Sequence, residues 1–129
     1  MVKTFLVEKD INEGKILIKE LDNANFDVHA AFWLYESDGE YWRFVIASDV
    51  VEIEGARKAY EHINKIINET KDTISINLID ISAWSPNHPL IRSLRTVIQT
   101  SPTQIADIRF SSKTINNIYI DDAYIYRMH

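Results

Sequence analysis

The sequence predicts a single α+β domain over residues 1–129: an antiparallel-rich sheet of about five strands with three helices mainly on one face, in the order α-β-β-α-β-α-β-β. Three observations carry this reading. Apolar residues recur at helical spacing in three segments. Between them lie runs rich in Ile, Val, Phe, Tyr and Trp, the residues that suit strands. Strand segments are adjacent at both ends of the order, so they can close as hairpins. No repeat, low-complexity tract or Gly/Ser-rich linker divides the 129 residues, which suit one domain.

Residues 2–7 (VKTFLV) read as a short strand or an extra helical turn. Asp10 followed by Glu13 has capping-box spacing and opens the first helix. Ile11, Gly14, Ile18 and Leu21, widened by Leu17 and Ala24, form its buried stripe. It ends near Asn23–Asn25, where asparagine tolerates the left-handed conformation. A second helix, about Gly55–Glu69, turns Ala56, Ala59, Tyr60, Ile63, Ile66 and Ile67 to one side. Segment 74–84 reads as a strand whose alternation changes phase near Leu78–Ile79, as a bulge would make it do. Pro89 suits the first turn of a third helix over 89–99, with His88 placed to cap it. Gln104–Ser111 and Ile118–Arg127 close the domain as strands joined through Asn116-Asn117.

The first hairpin, AAFWLYESDGEYWRFVIA, concentrates two of the three tryptophans around one Asp-Gly pair. Its strands are about Phe26–Tyr35 and Tyr41–Ser48. Setting Tyr35 opposite Tyr41 gathers Phe26, Val28, Ala30, Phe32 and Leu34 with Trp42, Phe44 and Ile46 on one apolar face. That register needs a three-residue loop, Ser37-Asp38-Gly39, with Gly39 in the left-handed bulge position. A two-residue Asp-Gly turn would instead set Leu34 against Arg43. With the first register the other face carries His29, Trp33, Tyr35, Tyr41 and Arg43, and Arg43 stacks on Trp33. These five residues are the expected binding surface, because exposed aromatic and arginine patches suit association.

A formal net charge of −5 argues against broad binding to nucleic acid or to anionic membrane. The charge is uneven: residues 1–69 carry 8 basic and 14 acidic side chains, residues 70–129 carry 6 and 5. The chain has no cysteine, which removes disulfides, thiol nucleophiles and thiolate metal sites. The N-terminal residues lack a signal-like apolar region and no run approaches a membrane span, so a cytoplasmic location is expected.

No glycine-rich phosphate loop, GxSxG, HExxH or calcium loop occurs, and the chain has three glycines in all. No catalytic residue, metal-ligand set or cofactor is therefore assigned. His29 lies two residues from Asp27 on one strand face, which permits a base with an orienting carboxylate. Asp121 and Asp122 sit between apolar residues, where a bend or bulge also accounts for them. Arg92, Arg95 and Gln99, with Arg109, Lys113 and Arg127, could bind phosphate or an acidic partner.

The stretches FDVHAAFWLYESDGEYWRFVIAS and DDAYIYR resemble small bacterial proteins of an uncharacterised family with no assigned activity. The resemblance covers about half the chain, implies a bacterial, cytoplasmic protein, and adds no functional residue. The expected function is a non-enzymatic interaction module that self-associates, as a homodimer or larger homo-oligomer, or docks a protein partner through the aromatic sheet face. The alternative is a small metal-dependent hydrolase or nuclease using His29 with Asp27, or Asp121 and Asp122.

Overall fold

The computed structural model describes residues 3–129. Met1 and Val2, where the expected 2–7 segment begins, lie outside the described residues. The order is α1 (Glu8–Asn23), β1 (Ala30–Glu36), β2 (Tyr41–Ala47), a one-turn helix α2 (Val50–Ile53), α3 (Ala56–Glu69), β3 (Ile81–Trp84), α4 (Pro89–Arg95), β4 (Ile108–Ile115) and β5 (Ile118–Met128). The α+β class holds, with one sheet in the order β3-β2-β1-β5-β4. Three of its pairings are antiparallel, and β3 runs parallel to β2, so the sheet is mixed.

Local chemistry sets both ends of α1 and the start of α4. The Asp10 carboxylate accepts the Val7 backbone N–H at 3.0 Å and so caps α1 from inside its first turn. At the other end Asn25 takes φ 60°, letting Phe26 N–H reach Leu21 C=O at 2.9 Å and satisfy an orphan carbonyl. Glu13 is no cap: it is buried and accepts hydrogen bonds from Ser75. His88 Nδ1 accepts the Leu90 N–H at 3.1 Å, and Pro89 occupies the first position of α4. The phase change in segment 74–84 is a single 3₁₀ turn, Leu78–Asp80.

The helices lie mainly on one face, as expected. Leu17, Ile18 and Leu21 of α1 and Ala59 and Ile63 of α3 cover one side of the sheet, over Ala31, Trp33, Trp42, Phe44 and Ile46. Leu90, Ile91 and Leu94 of α4 cover the other, over Ala30, Phe32, Leu34, Val45, Ala47 and Ile125. Ala123, Ile125, Ile118 and Ile120 all join this second core although their positions differ in parity. The side switches at Asp121-Asp122, beside Ser112 at φ 53°, so the bend expected there is present. Asn116 and Asn117, at φ 49° and 67°, close β4 and β5 with a two-residue turn.

The first hairpin takes the other register. Tyr35 pairs with Trp42, Trp33 with Phe44 and Leu34 with Arg43, across a four-residue loop, Ser37–Glu40. Glu40, not Gly39, takes the left-handed conformation, at φ 54°. Gly39 serves by its lack of a side chain, since a Cβ there would stand 2.5 Å from the Tyr41 ring. A sheet buried on both sides has no polar face to fix its register, so gathering the largest apolar residues on one face misplaced the pairing.

Candidate functional site

The corrected register decides which hairpin residues are accessible. Trp33 is 0% exposed. Its ring stacks on Phe44 at 4.9 Å and its Nε1–H donates to the Tyr126 hydroxyl at 3.1 Å. Trp33 is thus a core residue with its one polar atom satisfied, and the expectation that it faces outward and carries Arg43 is corrected. Arg43 lies on the opposite face from Trp33. Tyr35 remains half-buried and tilts against Trp42 at 5.4 Å, while Tyr41 lies half-buried at the hairpin end.

Arg43 instead builds a site with residues distant in sequence. Its guanidinium lies over the Trp84 ring at 4.7 Å and is paired with the Glu36 carboxylate. Its Nε is buried without a hydrogen-bond partner among the described residues. The indole of Trp84 also stacks on the His88 imidazole at 3.8 Å, with the rings 5° from parallel. Burial, aided by the Arg43 charge, holds the His88 pKa below its ordinary value, so the imidazole is kept neutral. A neutral ring is also what the cap needs, because Nδ1 must offer a lone pair to Leu90 N–H.

Two sets of contacts fix this stack. β3 runs beside β2 with Trp84 opposite Ala47, which lays the indole along the sheet edge. The loop after it is tied to α2: Ser85 Oγ and Asn87 Nδ2 both donate to Glu52, whose carboxyl is held below its usual pKa range by those two bonds. Arg95 donates to the Pro86 carbonyl at 2.9 Å and closes the loop from the α4 side.

Around the stack lies a cleft of ≈ 460 Å³, within the range of small-ligand sites. Leu34, Leu90, Ile118 and Ile120 make its apolar wall, and Arg43, Trp84 and His88 its aromatic and basic side. Glu36, Asp38 and Asp121 supply acidic groups, and Tyr119 stands 60% exposed at the rim. Ser37 Oγ donates to Asp121 at 3.0 Å, which joins the hairpin tip to β5 across the cleft. With Arg43 neutralised by Glu36, the remaining charge facing the opening is the negative charge of Asp38 and Asp121.

His29 sits elsewhere, at the opposite end of the hairpin, with Nε2 3.0 Å from Asp27 Oδ2 and 2.9 Å from Asp49 Oδ2. The expected Asp27–His29 proximity is therefore present, and Asp49 joins it from across the hairpin. Asp121 and Asp122 diverge: Asp122 pairs with Arg109 and Asp121 with Ser37, so they form no joint centre. The basic stripe also divides, since Arg127 is 1% exposed and bidentate to Asp22 at 2.9 Å.

Sequence reasoning missed Glu36, Trp84, Tyr119 and the Arg43–Trp84 stack. The signal for Trp84 was its place just before a Pro-containing loop and a capping histidine, which fixes an aromatic ring at a helix entrance. Comparison with protein-family models, curated proteins and solved structures found no match. This agrees with the resemblance to an uncharacterised family of no assigned activity. Among the described residues no helix is long and apolar enough to cross a membrane.

Proposed function

We propose that the protein is a non-enzymatic interaction module that docks a positively charged segment of a protein partner in the Arg43–Trp84 cleft. The observation that carries this reading is the composition of the cleft: an apolar wall beside a prebuilt cation-on-indole stack, with Asp38 and Asp121 at the opening. Such a site suits a lysine or arginine side chain, whose aliphatic stem lies on Tyr119 and the isoleucines while its charge meets the aspartates. The formal net charge of −5 attracts the same class of partner over a longer range. Binding through the hairpin thus keeps Arg43 of the expected surface and replaces Trp33 by Trp84.

The stack supports binding rather than turnover. His88 spends its Nδ1 lone pair on the helix cap and its ring face on Trp84, which leaves it poorly placed to shuttle a proton. The test is a titration of the isotope-labelled protein with short peptides of matched length, rich in lysine or in glutamate. Lysine peptides should shift resonances of residues 34–38, 84–90 and 118–121, and glutamate peptides should not. The Asp38→Lys, Asp121→Lys double variant should lose the response. Equal response to both peptides, or shifts away from the cleft, contradicts the proposal.

A further inference from the structure

We infer that Asp27, His29 and Asp49 form a binding site for a first-row divalent metal ion such as Mn²⁺ or Zn²⁺. One donor atom from each residue lies within 4.8 Å of the others. The Nε2–oxygen separations of 2.9 and 3.0 Å match neighbouring donors on a six-coordinate ion, which stand about 3.0 Å apart when each bond is about 2.1 Å. Nε2 carries at most one proton, which the two carboxylate oxygens at 3.0 and 2.9 Å would have to share, and a lone pair there would serve neither. A cation seated among the three atoms satisfies all of them.

Two further features point the same way. Asp49 stands at the N-cap of α2, yet its side chain makes no capping hydrogen bond and turns to His29 instead. The backbone around the imidazole is pinned on both sides: His29 N–H donates to Ala47 C=O at 2.8 Å, and His29 C=O accepts from His129 N–H at 2.9 Å. A rigid backbone places a ligand within the tolerance metal coordination demands. The site opens onto a shallow depression also lined by Arg95 and His129, which leaves room for the water or anion that completes the shell. One imidazole with two carboxylates selects manganese or zinc over magnesium or calcium, which prefer oxygen alone.

The experiment is a titration of histidine-labelled protein with Mn²⁺, using Mg²⁺ as the comparison ion. Substoichiometric Mn²⁺ should broaden the His29 and His129 ring resonances before those of His62 and His88. His62 is the internal control, since it faces the single carboxylate of Glu54 at 3.5 Å. His29→Ala should abolish the selective broadening, and Asp27→Asn and Asp49→Asn should each weaken it about tenfold. The two asparagine variants change half-exposed side chains, so the test stands even if His29→Ala fails to fold. Uniform broadening of all four histidines, unchanged affinity in the asparagine variants, or no binding at millimolar Mn²⁺ overturns the inference. None of these outcomes bears on the cleft, which lies at the other end of the hairpin.

Discussion

A Cβ added to Gly14 would stand 2.4 Å from the Tyr126 hydroxyl oxygen. Tyr126 is the extra residue of a bulge, because the β1–β5 register shifts between Ala31 and Phe32 as β5 passes from Arg127 to Ile125. The bulge swings the phenol beneath α1, where it donates to Ile11 C=O at 2.7 Å and accepts from Trp33 Nε1. Burial drives its pKa well above the ordinary phenol range. Gly14, Tyr126 and Trp33 thus lock helix, bulge and hairpin together. Helix propensity favours Ala over Gly by about 1 kcal/mol, whereas overpacking a tight contact costs ~1–3 kcal/mol. Gly14→Ala should therefore lower stability in urea unfolding by about 1 kcal/mol. The loss should shrink in a Tyr126→Phe background, and a stabilised Gly14→Ala would contradict the contact.

Arg127 and Asp22 join β5 to the C-terminal turn of α1. The guanidinium is 1% exposed, donates two bonds to Asp22 and further bonds to the Gln104 and Val28 carbonyls. Removing one partner strands a buried charge. Asp22→Asn should cost about 3 kcal/mol in chemical denaturation, while the exposed control Arg92→Gln should cost under ~0.5 kcal/mol. Near-equal losses would show that the pair is not a structural lock.

Glu40 occupies a left-handed conformation at φ 54°, which carries a steric cost for any residue with a Cβ. Glu40→Gly should raise stability by about 0.5–1 kcal/mol, after the greater unfolded-state freedom of glycine is deducted. Thermal unfolding checks this, and a lowered midpoint would contradict the loop geometry.

His88 provides a pH test of the stack. Its folded pKa lies below the unfolded value, so the neutral form is the one that folding favours. The stability it contributes is present above about pH 6.5 and is lost as pH falls through the depressed folded pKa. NMR titration should place the His88 midpoint below that of an unfolded histidine. Arg43→Leu should raise it in part, because burial, the larger cause, remains. A midpoint at or above the free value would mean that the imidazole is not buried against Trp84.

The helices were legible because each buries a single stripe: Ile18 and Leu21, or Ile63 and Ile67, announce their inward side at helical spacing. The capping role of His88, the left-handed Asn25 and the bend at Asp121-Asp122 were legible from local chemistry. The hairpin register was not. Phe32 and Trp33 are both fully buried, one against α4 and one beneath α1 and α3, so alternation carries no information about which side is wet. Arg43 was singled out for the right chemistry with the wrong indole, because its partner comes from a strand about 40 residues later, placed by a parallel crossover. Asp27 and His29, two residues apart, could be paired from sequence although β1 begins only at Ala30; Asp49 joins them only once the hairpin closes.

The most direct measurement of the cleft proposal is the set of intermolecular NOEs between a lysine-rich peptide and the protein's aromatic rings. Lysine side-chain methylenes near Tyr119 and Trp84, lost in the Asp38→Lys, Asp121→Lys variant, are what the account predicts. Contacts confined to other surfaces, or a peptide that binds the variant as well as the wild type, would contradict it.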